Sequence, residues 1–231
     1  VNISTILFDV GWPIIDESAV TEVWYEHLKR LTAEKTGITV TDPMLADAEA
    51  AGVACYAPSL LNYIIWHLVR PDLKSFYVIR SEFYRSYSTR EFRLQPGIKE
   101  ILERLSGRFK LGLAANQQVE VYEYLEREGI LGYFDSTQVS AEIGFSKPDV
   151  RMFLAVLQNL GVVPEEAVMV GDRQDNDIVP AKLIGMKTVR LLVGPHRAQS
   201  VRYPVEAPDY TIDTISELPD LPLLGRRREG I

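Results

Sequence analysis

Ile6-Leu7-Phe8-Asp9-Val10-Gly11-Trp12-Pro13 is an apolar run that stops at a single acid and then turns on a glycine and a proline. A strand leaving a core this way puts Asp9 at its carboxyl end, the edge where open α/β sheets bind ligands. A second apolar run ends at Gly171 and is followed by Asp172 and Asp177, and Lys147 stands in a Lys-Pro-Asp turn before it. If these four side chains converge, three acids share one base. Such a set cannot stay charged and buried without a cation, so it predicts a divalent metal.

The sequence around this acid set divides by period. Val20, Val23, Trp24, His27, Leu28 and Leu31 fall on one helical face, with Ser18 or Asp16 as the cap and His27 as a packing residue. Thr41-Asp42-Pro43 and Pro58-Ser59 open two more helices, and a fourth runs from Leu73 to Tyr87. Tyr63, Trp66, Phe76, Tyr77, Phe83 and Tyr84 read as the aromatic core of this helical section, and Cys55 as a small core residue. From Leu94 onward, helical and strand patterns alternate. The strands are expected at 109–115, 136–139, 167–170, 187–192 and 210–212, and one of the intervening helices at 177–184. That order predicts an α/β fold, a doubly wound and mostly parallel Rossmann-like sheet with an inserted all-helical section. The expected boundaries are a core of residues 1–15 and 91–225, a helical insertion at 16–90, and a frayed, solvated tail at 226–231 that contains Arg226-Arg227-Arg228.

The 231 residues carry a net charge of −7, with basic residues scattered rather than gathered, which argues against nucleic acid as a partner. No apolar stretch approaches the ~20 residues of a membrane span. With one cysteine and no secretory leader pattern, the chain reads as cytoplasmic. The Gly-rich phosphate loops of nucleotide-binding folds, a histidine zinc set and a Gly-x-Ser-x-Gly elbow are all missing from the sequence.

Asp9 after the first strand, Lys147-Pro148, and Gly171-Asp172-Arg173-Gln174-Asp175-Asn176-Asp177 stand in the order seen in the haloacid dehalogenase-like superfamily. The chain resembles that family over nearly its whole length, and the helical insertion corresponds to the family's cap. The resemblance implies a phosphatase-type hydrolase of a small phosphorylated metabolite, in which Asp9 attacks phosphorus and forms an aspartyl-phosphate. It implies Mg²⁺ held by Asp9, the Gly11 carbonyl and Asp172, with Asp177 orienting them and Lys147 neutralising charge beside the nucleophile. Trp12, Ala115, Asn116 and Gln117 fall where the family contacts the phosphoryl group.

The sequence also departs from that pattern. The family's phosphatases usually carry a second Asp at the position of Gly11 and a Ser or Thr at the position of Ala115. A general acid or base is worth ~10² to 10⁴ in rate and one donor to the transition state ~10² to 10³, so reduced activity is expected. Two alternatives follow: a non-catalytic protein that keeps the metal and phosphate site, and a 2-haloacid dehalogenase. The Gly-Asp-x-x-x-Asn-Asp acid pattern favours the metal-dependent branch over the dehalogenase.

Overall fold

A computed structural model describes residues 2–86 and 88–225. The Arg226-Arg227-Arg228 cluster, the expected tail and Tyr87 lie outside the described residues. The chain divides into two compact units, one made of the residues through Asp16 and those from Arg93 onward, the other of Glu17–Phe92.

The first unit opens with β1 (Thr5–Phe8) and β2 (Ile15–Asp16). The second unit contains α1 (Ser18–Thr36), α2 (Asp42–Ala54), α3 (Leu60–Val69) and α4 (Leu73–Arg85). The chain returns through β3 (Arg93–Leu94), which pairs antiparallel with β2 in a short ribbon. There follow α5 (Ile98–Ser106), β4 (Lys110–Ala115), α6 (Glu120–Arg127), β5 (Ser136–Val139), α7 (Ser140–Ile143), α8 (Arg151–Leu160) and β6 (Ala167–Gly171). A π-turn at Gln174–Ile178 leads into α9 (Val179–Leu183), then β7 (Lys187–Leu191) and β8 (Tyr210–Ile212).

Among the described residues the main sheet runs β5-β4-β1-β6-β7-β8, and every neighbouring pair is parallel. β1 is buried along its whole length, as a strand covered on both faces must be. Met152, Phe153, Val156, Leu157 and Leu160 of α8 pack with Leu7, Ala114 and Met169 of the strands to form one layer of core. The strand order reverses at β1. Its carboxyl end and that of β6 therefore meet at a topological switch point.

The helical unit has its own core of Leu28, Leu31, Leu45, Ile64, Ile65, Leu68, Ile79 and Phe83, with Trp24 edge-on to Phe83 at 6.4 Å. Ser59 caps α3 and Asp72 caps α4 through side-chain bonds, whereas α1 starts from Glu17 with no such bond, so neither Ser18 nor Asp16 is its cap. Three expected core residues are exposed. Val23 and Tyr77 fall outside the arcs defined by Val20, Leu28 and Leu31 on α1 and by Ile79 and Phe83 on α4. Cys55 ends α2 at its C-cap, where the chain turns outward. His27 packs against Phe83 at 5.6 Å and bonds to Ser86 and Arg30. Among the described residues, no helix is long and apolar enough to cross a membrane.

Candidate functional site

The exit of β1 is held by its neighbour. The Asp9 amide donates to the Val170 carbonyl at 2.9 Å, continuing the β1–β6 ladder, and one Asp9 carboxylate oxygen accepts from the Val10 amide at 2.8 Å. The chain then turns tightly. The Ile15 amide bonds the Val10 carbonyl and the Trp12 amide bonds the Ile15 carbonyl, so neither bond uses the Gly11 carbonyl. Trp12 takes a φ of 69°.

β6 delivers the other acids. Gly171 ends the strand, and its missing side chain makes room for Asp177: a Cβ there would lie 2.3 Å from the Asp177 carboxyl carbon. The π-turn brings the Asp177 carboxylate back to accept from the Arg173 amide at 3.0 Å. The sequence pattern predicts an α-helix over 177–184. The wider turn replaces its first residues because the carboxylate must fold back under the strand end, and π-turns recur where such adjustments are needed.

Lys147 sits between the two strand exits, almost completely buried. Its Nζ lies 2.8 Å from Asp9 and 2.6 Å from Asp177. Asn116, just beyond β4, secures the lysine through its backbone: Oδ1 accepts from the Lys147 amide at 2.7 Å and Nδ2 donates to the Lys147 carbonyl at 2.9 Å. Burial works against the lysine's charge, but the two carboxylates outweigh it and hold its pKa above the ordinary value. Burial pushes the Asp177 carboxyl up to about 6, with Lys147 opposing that rise and the Asp9 charge adding to it.

Ligand oxygens of Asp9, Asp172 and Asp177 all lie within 4.8 Å of one another. Three carboxylates beside one ammonium leave two negative charges in a mostly buried place. The set is made only of hard oxygen donors, which suits a small divalent cation such as Mg²⁺, and such a charge would draw the Asp177 carboxyl back toward its ionised form. The structure thus gathers Asp9, Lys147, Asp172 and Asp177, with Gly11 in the adjoining turn. Ala115 is buried at the end of β4 without a polar side chain, and Asn116 spends its amide on Lys147. The Gln117 carbonyl accepts from the Ala141 amide, and the Trp12 indole lies against Gly194.

A further polar layer was not anticipated from the sequence. Arg190 in β7 is buried and donates to the carbonyls of His196 and Gln199 at 2.9 and 2.8 Å. Gln199 accepts from the Gln174 amide at 2.9 Å and donates to Asp175 at 2.9 Å. A charge inside the strand Lys187-Thr188-Val189-Arg190-Leu191 was the one signal available for this layer.

A parallel α/β sheet with an acid cluster and a lysine at the switch point of its carboxyl edge defines the class of this molecule. The sequence matches the haloacid dehalogenase-like hydrolase family over residues 6–191, and the chain belongs to that family. It is 35% identical over 226 residues to a glyceraldehyde 3-phosphate phosphatase of Methanothermobacter thermautotrophicus, covering 94% of this chain and 87% of that one. A protein of the same name from Methanopyrus kandleri is 42% identical over 114 residues, 49% of each chain, so the match spans about half that relative's length. Among solved structures, a haloacid dehalogenase-type phosphatase from Thermococcus onnurineus superposes with a TM-score of 0.66 at 24% identity, over 94% of this chain and 97% of that one.

Proposed function

We propose that this chain is a Mg²⁺-dependent phosphatase acting on a small phosphorylated metabolite. The convergence of Asp9, Asp172, Asp177 and Lys147 is the observation that carries this reading. The phosphatase names of its relatives add weight. Bound Mg²⁺ would supply charge neutralisation for phosphoryl transfer, held by Asp9, Asp172 and the Gly11 carbonyl, with Asp177 orienting the set.

In this reading an Asp9 carboxylate oxygen forms a bond to phosphorus as the ester P–O bond breaks, and the leaving alkoxide takes a proton from water. Water then attacks the phosphorus of the aspartyl-phosphate, which releases inorganic phosphate and restores Asp9. Lys147 offsets charge on Asp9 and holds the carboxylate in line. Asn116 fixes the lysine's backbone rather than the phosphoryl oxygens, which leaves those oxygens to backbone amides beyond β4 and to Gln117. The helical unit Glu17–Phe92 serves as the family's cap and carries substrate choice.

The test is phosphate release from a panel of three- to six-carbon phosphate esters, glyceraldehyde 3-phosphate included, with Mg²⁺ and with EDTA. Turnover is expected to require Mg²⁺ and to vanish in Asp9→Asn with the fold retained. Hydrolysis by purified Asp9→Asn at the native rate would remove Asp9 as the nucleophile. Gly11 and Ala115 favour a second reading, a cation- and phosphate-binding protein without turnover. Phosphate binding by calorimetry, with no ester hydrolysed across the panel, would select it.

A further inference from the structure

We infer that the 192–206 segment is a clasp over the acid cluster, keyed by Trp12 and set by Arg190 and Gln199, that fixes the position of Asp172 and thereby the strength of cation binding. The inference rests on the reading of Asp9, Asp172 and Asp177 as cation ligands. It concerns residues that do not themselves hold the cation.

The first half of the clasp lies at Trp12. A bulky residue with φ near 69° occupies a region that costs ~1 to 3 kcal/mol and persists only where surrounding structure enforces it. Its indole lies against Gly194 in the exit of β7. A Cβ on Gly194 would come within 2.3 Å of Trp12 Cε2 and 2.7 Å of Nε1. Gly194 itself has φ 58° and ψ −167°, a conformation open almost only to glycine. Two exceptional backbone positions, far apart in sequence, therefore fit one another. β6 lies between β1 and β7, and neighbouring strands are ~4.8 Å apart. The indole thus joins the turn after β1 to the segment after β7, the strands on either side of β6, and Asp172 follows the end of β6.

The second half lies in β7. Arg190 is 4% exposed, and its guanidinium reaches the carbonyls of His196 and Gln199 on one side. On the other it faces the Asp172 carbonyl and the Gln174 Oε1, each at 3.4 Å. Buried guanidinium charge is tolerated only when its donors are occupied, so this arginine ties the two segments together. Gln199 adds its bonds to the Gln174 amide and to Asp175, and the Gln174 side chain donates to the Glu206 carbonyl at 2.5 Å. The loop that follows Asp172 is thus fastened to the 192–206 segment by several bonds, and Trp12 fastens that segment to the turn after Asp9. Trp12, Arg190 and Gln199 are positioning residues.

The experiment uses the whole chain with Mg²⁺ itself as the probe. Outer groups that orient metal ligands typically change affinity 10- to 100-fold, and Trp12→Ala is expected to raise the Mg²⁺ Kd ~10-fold by calorimetry. Trp12→Gly relieves the backbone strain, so it should melt no lower than Trp12→Ala yet show the same loss of affinity. The chain has three tryptophans. In a Trp24→Phe/Trp66→Phe protein, bound Tb³⁺ should be sensitised by the remaining indole, Trp12. In metal-free protein, hydrogen exchange at the Gln174 amide should quicken in Trp12→Ala and in Gln199→Leu. A Trp12→Gly protein with native Mg²⁺ affinity, or native Gln174 protection in both exchange variants, would overturn the clasp. Failure of the native protein to bind Mg²⁺ at all would overturn the inference together with the cation reading, and unaltered Gln174 exchange would then overturn the metal-free tether as well.

Discussion

Gly171→Ala is predicted to be among the most damaging single-methyl additions in this chain. The new Cβ would stand 2.3 Å from the Asp177 carboxyl carbon, where contacts between such atoms normally begin near 3.4 Å. β6 is fixed on both sides by β1 and β7, so the side chain of Asp177 must give way by about 1 Å. The Lys147–Asp177 pair at 2.6 Å then stretches beyond hydrogen-bonding range, and the bond from the Arg173 amide is lost with it. Disrupting a buried ion pair costs ~3 to 5 kcal/mol, and a domain of this size loses ~2 to 4 °C in Tm per kcal/mol. A fall of ~6 to 20 °C is therefore expected in metal-free thermal unfolding. The decisive comparison is the same change in an Asp177→Gly background, which removes the Cβ at 2.5 Å along with the carboxyl group, so that Gly171→Ala should cost less than ~1 kcal/mol there. Equal costs in the two backgrounds would refute the reasoning.

Four other outcomes are expected. Lys147→Met takes away the ammonium that pairs with Asp9 and Asp177, so metal-free protein should lose ~3 kcal/mol or more in urea unfolding, and millimolar Mg²⁺ should recover part of it. Gly11→Asp supplies a carboxylate two residues after Asp9 and should raise ester turnover by ~10² or more if proton transfer limits the native rate; an unchanged rate would locate the limit elsewhere. Burial and the nearby Arg173 and Arg190 charges push the His196 imidazole down to about 3. The unfolded chain then binds a proton that the folded chain does not between that value and ~6.5, so stability falls as pH drops through this window. The fall attributable to His196 should approach ~1 kcal/mol per pH unit below 6 in urea unfolding, and His196→Asn should flatten it. Asp209 has its pKa held down: burial raises it, but Lys187, Thr188 and Lys182 outweigh that. Its stabilising contribution is therefore present above the unfolded carboxylate range and lost as pH falls through the depressed value. Asp209→Asn should remove that loss from the acid limb of the unfolding curve.

The Asp9 strand end, the lysine turn and the Gly-Asp pair were legible because each is a local pattern: a buried run, a breaker and a polar residue placed between them. The alternation of strands and helices after Leu94 was legible for the same reason. The β2–β3 ribbon was not, since two-residue strands carry no periodicity and depend on a partner about 80 residues away. Asn116 reads in sequence as a donor at the edge of a sheet, and only three-dimensional contact shows its amide committed to the Lys147 backbone. The π-turn escaped because the i to i+5 pattern has no distinct signature, and Tyr77 because a short amphipathic helix leaves its exact arc of burial undetermined by one turn. Arg190 and Gln199 carry no motif, and their roles arise from which loops the sheet order brings together.

The position of β1 bears on how the chain is made. Thr5 pairs with Lys110 on one side and with Ala167 on the other, so its second partner emerges from the ribosome about 160 residues later. At ~5 to 20 residues per second, that is a wait of roughly 8 to 30 s for a strand that is wholly apolar apart from its threonine. During that interval Glu17–Phe92, with its local helical contacts, can condense as a unit. Among the strands of this sheet, the one that presents Asp9 waits longest for its second neighbour, and a holdase chaperone occupying Ile6-Leu7-Phe8 should matter more for the yield of this protein than for one whose central strands are contiguous.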